Sequence, residues 1–97
     1  MKGVTFDALG EQHTLAFTTN ALCAFEDLSG VDVTSLNGKM SVRVIRALIA
    51  AGLGVAEKEA GAIIDDIGFA KAGDIVEQAM TKAFPETGEA GKLKASQ

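Results

Sequence analysis

Tryptophan and tyrosine are absent from this chain, and phenylalanine occurs only five times in 97 residues. Large rings therefore cannot dominate the interior. Ala, Ile, Leu and Val must fill it, which suits close-packed helices better than a β-sandwich. A single cysteine, Cys23, rules out an internal disulfide, and no His or Cys set has metal-ligand spacing. The expected setting is a reducing one, the cytoplasm. One proline, Pro85, leaves few forced kinks. No apolar run approaches the ~20 residues of a membrane span, and the opening MKGVTFDALG lacks the apolar stretch of a secretory signal. Excess basic charge is missing too: nine Lys and Arg stand against 13 Asp and Glu, a net charge of −4. That balance argues against nucleic-acid binding, which depends on clustered cations neutralising phosphates. Arg43 and Arg46 form a close basic pair.

What is present reads as one small domain over residues 1–84, of α+β class: an N-terminal β-hairpin on a bundle of about four helices. Val4, Phe6 and Ala8 alternate with Thr5 and Asp7, and Leu15 and Phe17 alternate with Thr14 and Ala16. This period of two, on both sides of Leu9-Gly10-Glu11-Gln12, predicts a hairpin over residues 4–17. An isolated hairpin is marginal in water, so its apolar face must lie on the helices. The run Thr18-Thr19-Asn20 offers N-caps for a helix over 19–29, with Gly30 as its left-handed stop. Asn37-Gly38 marks a turn in the loop that follows. Ser41 caps a second helix over 41–53, apolar nearly all round except for Arg43 and Arg46. Such a helix is either central and covered on several sides or carries a second apolar face for docking. A third helix over 56–67 ends at Gly68, and a fourth over 69–84 ends at Pro85. The expected core comprises Phe6, Leu15, Phe17, Leu22, Phe25, Leu28, Ile45, Leu48, Ile49, Ile63, Ile67, Ile75, Val76 and Met80. Residues 85–97 hold one large apolar residue, Leu93, and read as a disordered tail whose removal leaves stability unchanged.

No constellation for catalysis emerges. His13 lies on a strand with no acid or nucleophile beside it in sequence, and a general base needs placed partners. It reads as a solvent-facing strand residue. Cys23 lacks the electropositive neighbours of a reactive thiolate and should lie on the outer side of its helix. Asp65 and Asp66 diverge by about 100° on a helix and do not converge on one ion, so they read as a solvated face. Gly52-Leu53-Gly54 lacks the Lys and Ser/Thr of a phosphate loop. Thr34-Ser35-Leu36 has Thr where an acyl carrier protein has Asp before its modified Ser, and the hairpin is foreign to that fold. The expectation is a protein without enzymatic activity, cofactor or metal.

The order hairpin, Thr-Thr-Asn-Ala-Leu…Phe25-Glu26-Asp-Leu-Ser-Gly30, then Arg46-Ala-Leu-Ile-Ala-Ala51-Gly52-Leu53, then a Glu-rich helix start, resembles the tail assembly chaperone family of long-tailed phages and gene transfer agents. The resemblance covers residues 4–84; one departure is Val55-Ala56, where family members often place a Thr or Ser cap. It implies a factor of the bacterial host cytoplasm that binds the apolar tape measure protein, keeps it soluble until tail tube subunits polymerise, and leaves before the particle is finished. Some members carry the label of tail tube protein, but two strands are too few for a β-rich ring. The expected contact surface is the spare side of the second helix, Arg43, Arg46, Ala47 and Ala50, with the hairpin edge. Weak self-association would cover that surface until the client arrives. The competing expectation is a small acidic adaptor or regulatory module. Neither involves nucleic acid or a membrane.

Overall fold

The computed structural model describes residues 3–36 and 40–84. The chain runs β1 (Val4–Ala8), β2 (Glu11–Leu15), α1 (Thr19–Ser29), a short 3-10 turn (Val33–Ser35), α2 (Val42–Leu53), α3 (Glu57–Ile67) and α4 (Phe69–Ala83). It is an α+β fold, a two-stranded antiparallel hairpin on four helices. The Asn37-Gly38 turn and the tail from Pro85 lie outside the described residues. No helix among those described is long and apolar enough to cross a membrane.

The hairpin register pairs Val4 with Leu15, Phe6 with His13 and Ala8 with Glu11. Phe6, Ala8 and Leu15 are buried on one face, while Thr5, Asp7 and Thr14 alternate outward to solvent. The turn is tighter than Leu9–Gln12, because Glu11 and Gln12 already pair with β1. Its two central residues, Leu9 (φ 53°) and Gly10 (φ 78°), both take positive φ. That handedness matches strand twist, but a Leu there costs about 1–2 kcal/mol. The Leu9 amide donates to Asp66 Oδ2 at 2.9 Å, so Asp66 ties the hairpin tip to the end of α3 instead of being only a solvated acid.

Helix boundaries follow from capping. Thr18 Oγ1 accepts from the Ala21 amide at 3.0 Å, and Ser41 Oγ accepts from the Val44 amide at 3.2 Å, which makes Ser41 a cap and not a helical residue. Gly30, with φ 72°, closes α1 by donating to the Glu26 carbonyl at 2.8 Å. Ala56 stands at the head of α3 without a side-chain cap.

α2 is the central helix. Ile45, Ala47, Leu48, Ile49 and Ala50 are all buried, and α2 packs on α1, α3, α4 and β2. Of the expected core, Leu28 is corrected: it is 49% exposed, whereas Leu22, Ile67 and Met80 are half-buried. Leu28 stands about 60° round α1 from the buried Phe25, and among the described elements α1 packs only on α2 and the 3-10 turn. Its covered stripe is too narrow for both. Alanines take up much of the remaining core, Ala8, Ala60, Ala72 and Ala79 among them, together with Leu36 and Ile64.

Gly52 shows how closely the hairpin sits on α2. A Cβ built there would stand 2.4 Å from Leu15 Cδ1 and 2.9 Å from Phe17 Cε1, both buried side chains. Overpacking of this kind costs about 1–3 kcal/mol, and the better helix propensity of Ala returns up to about 1. Gly52→Ala is therefore expected to lower the urea midpoint by the equivalent of about 1–2 kcal/mol with an unchanged slope. A raised midpoint would show that Leu15 and Phe17 move aside freely.

Candidate functional site

The sequence directs attention to α2 around its two arginines. Arg43 is exposed and forms no ion pair among the described residues. Arg46 lies against α3. Its Cδ sits 3.6 Å from where a Gly61 Cβ would be, and its Nη2 is 3.9 Å from Glu57 Oε2. With side chains 42% and 33% exposed, that pair contributes about 0–1 kcal/mol. Arg46 Nε is buried without a hydrogen-bond partner, so its guanidinium is only partly engaged within the molecule.

Ala47 and Ala50 do not belong to an accessible surface. They are 0% and 1% exposed and face the core. The side of α2 that is open at its first turns has closed over at Ala47 and Ala50. The small side chains do permit close helix approach, but the approaching elements are the protein's own. In their place stands Val42, 63% exposed beside Arg43. The sequence signal for it was weak: an apolar residue directly after an N-cap belongs to the helix pattern, and nothing in that pattern distinguishes a projecting first turn from a packed one. The accessible strip is thus Val42, Arg43 and Arg46, one apolar side chain with two cations. Such a strip can hold an acidic, partly apolar helix by ion pairing and contact. Among the described residues β1 and β2 make up the sheet, so each has one edge unpaired with another described strand.

The residues that carry the resemblance hold the scaffold. Phe25 is fully buried in the core. The Glu26 carboxylate accepts from the Val33 amide at 2.9 Å and so fixes the 3-10 turn after α1. Ser29 Oγ donates to the Phe25 carbonyl at 2.8 Å and accepts from the Val31 amide at 3.1 Å. Gly30 supplies the left-handed cap and Gly52 the hairpin contact. Glu26→Gln keeps a carbonyl oxygen but loses the charge-assisted component, and a loss of about 1 kcal/mol in a denaturant melt is expected. An unchanged midpoint would mean that the Val33 amide finds water equally well.

His13 is half-buried, not solvent-facing, because its cross-strand partner is Phe6 on the inner face. Its ring stacks on Phe6 at 5.4 Å, and Nε2 lies 3.2 Å from the Ala8 carbonyl oxygen. Cys23 is exposed on α1, as its sequence position implies. It should react with a thiol reagent in native buffer as completely as in denaturant, and protection would reveal a partner over that face. A shallow hollow along α4 is lined by Asp74, Glu77, Gln78, Thr81 and Lys82, all from one helix, so nothing converges on it from a second element. Among the described residues, no three His, Cys, Asp or Glu side chains gather as a metal site would need.

Against protein-family models, curated proteins and solved structures, the chain finds no match.

Proposed function

We propose that this protein is a non-enzymatic tail assembly chaperone of a phage, prophage or gene transfer agent. It works in the cytoplasm of the bacterial host, binding the tape measure protein, with tail tube subunits as further partners. The observation that supports the reading is that the residues of the resemblance fall at the joints of one scaffold. Phe25, Glu26 and Gly30 shape the end of α1, and Gly52 admits the hairpin onto α2. The client surface in this reading is the strip Val42, Arg43 and Arg46, and net charge −4 keeps a chaperone with exposed apolar residues dispersed.

The test is co-expression with the matching tape measure protein. Wild type should raise the soluble yield of that protein and co-purify with it. Replacing Arg43 and Arg46 together by Glu should abolish both effects while the circular dichroism stays native, since both side chains have solvent access. Absence of any solubility gain or co-purification with wild type would remove the chaperone reading in favour of an acidic adaptor.

A further inference from the structure

A second surface lies at the hairpin tip. Leu9 occupies the first central position of the turn, where the backbone is left-handed and Asn or Gly is the relaxed choice. Its side chain is nonetheless 52% exposed, so burial does not compensate for the strain. The tip is also held in place. The Leu9 amide is bonded to Asp66 Oδ2 at 2.9 Å, and three residues beyond Asp66 the first residue of α4, Phe69, is 44% exposed. Two exposed large apolar residues thus lie close in the chain to this one contact, where the hairpin tip meets the end of α3 just before α4 begins. Asn or Gly would serve the same turn without the strain, so the Leu side chain itself points to a role outside the fold.

The charges around this corner have one prevailing sign. Asp7 and Glu11 flank the turn on the two strands, and Asp65 and Asp66 end α3. Lys71, in the first turn of α4, is the single opposing charge nearby in sequence. Four carboxylates close in the chain to two exposed apolar residues favour a cationic ligand with apolar groups of its own. A second copy carries net charge −4 overall, so its approach is opposed at long range, although its own α2 strip is cationic.

We infer that the Leu9–Phe69 corner is a docking surface for a cationic amphipathic helix of another protein, whose Lys or Arg residues pair with the acidic rim while its apolar side chains cover Leu9 and Phe69. This surface is separate from the arginine strip on α2 and does not depend on the function assigned to that strip.

Leu9→Asn tests the inference because the folded state and the ligand read it with opposite sign. Asn-Gly is the preferred pair for this turn, so the thermal midpoint should rise by a few degrees while docking is lost. The probe is a synthetic amphipathic peptide of Leu and Lys, titrated into the isotope-labelled full chain, with a Leu and Glu peptide of the same pattern as control. Saturable shifts are expected at Leu9, Gly10, Phe69 and Ala70, with binding at least about tenfold weaker for the Glu peptide. Leu9→Asn and Phe69→Ala should each weaken the Lys peptide about tenfold, as central interface side chains do. Unchanged affinity in the stabilised Leu9→Asn variant, or equal binding of both peptides, would overturn the inference. So would concentration-dependent shifts of the same resonances without peptide, which would identify a second copy as the occupant. Stronger binding after removal of residues 85–97 would likewise overturn it, assigning the corner to the chain's own Lys92-Leu93-Lys94 segment.

Discussion

Ala47→Glu is expected to leave no cooperative unfolding transition in buffer. Ala47 is fully buried on the central helix, and its neighbours in sequence, Leu48, Ile49 and Ala50, are buried with it. No polar or charged residue is buried as a whole among those described, and the buried Arg46 Nε lies at the adjacent helix position, about 100° round against α3, so the seam at Ala47 offers a carboxylate no partner. The substitution adds volume to a close-packed seam and a charge without a partner. An uncompensated buried charge costs about 3–5 kcal/mol, and overpacking adds about 1–3. A domain of this length has about 5–15 kcal/mol of total stability. The sum of the two effects reaches the lower part of that range. Far-ultraviolet circular dichroism across a thermal ramp checks it: a flat, non-sigmoidal trace is expected. A native spectrum with a sharp transition would show that Ala47 faces solvent after all, and would restore it to the proposed client surface. For the same reason Ala47→Glu cannot serve as a probe of client binding, whereas replacement of Arg43 and Arg46 can.

Phe25→Ala should be the most damaging single truncation that still leaves a folded protein. Phe25 is the largest fully buried side chain of the core, on α1 where that helix meets α2. Deleting a buried phenyl ring costs about 3–5 kcal/mol, the transfer energy of the ring plus the cavity left behind. At about 4–8 °C per kcal/mol for a domain of this size, the thermal midpoint should fall by about 12–40 °C. Phe69→Ala is the internal control, since that ring is 44% exposed and its loss should move the midpoint by only a few degrees. A shift under about 5 °C for Phe25→Ala would mean that α1 repacks without its anchor. It would also mean that the Phe-Glu…Gly pattern holds something other than the core.

The two predictions differ in how visible their residues are in the sequence. Phe25 follows from periodicity: a helix bounded by a Thr cap and a Gly stop has one apolar stripe, and the aromatic residue at its centre goes inside. Helix ends at Ser41, Gly54 and Gly68 follow from the same local chemistry, because caps and positive-φ positions are satisfied within a few residues of themselves. Ala47 and Ala50 could not be assigned this way. On a helix apolar nearly all round, periodicity does not say which side stays open, and small residues suit an internal seam as well as a docking groove. Leu28 fails for the matching reason, since its exposure depends on how few elements cover α1.

Composition, alternation and capping by themselves determined the class of fold, the order and nearly all the bounds of its elements, and the central place open to α2. These depend on interactions between near neighbours in the chain. The tertiary structure alone decided which alanines are interior, that His13 lies against Phe6, that Glu26 braces the 3-10 turn, and that Asp66 holds the hairpin tip where Leu9 and Phe69 stand exposed. Burial and long-range hydrogen bonds are properties of two surfaces meeting. A side chain's own sequence neighbourhood does not contain the second surface.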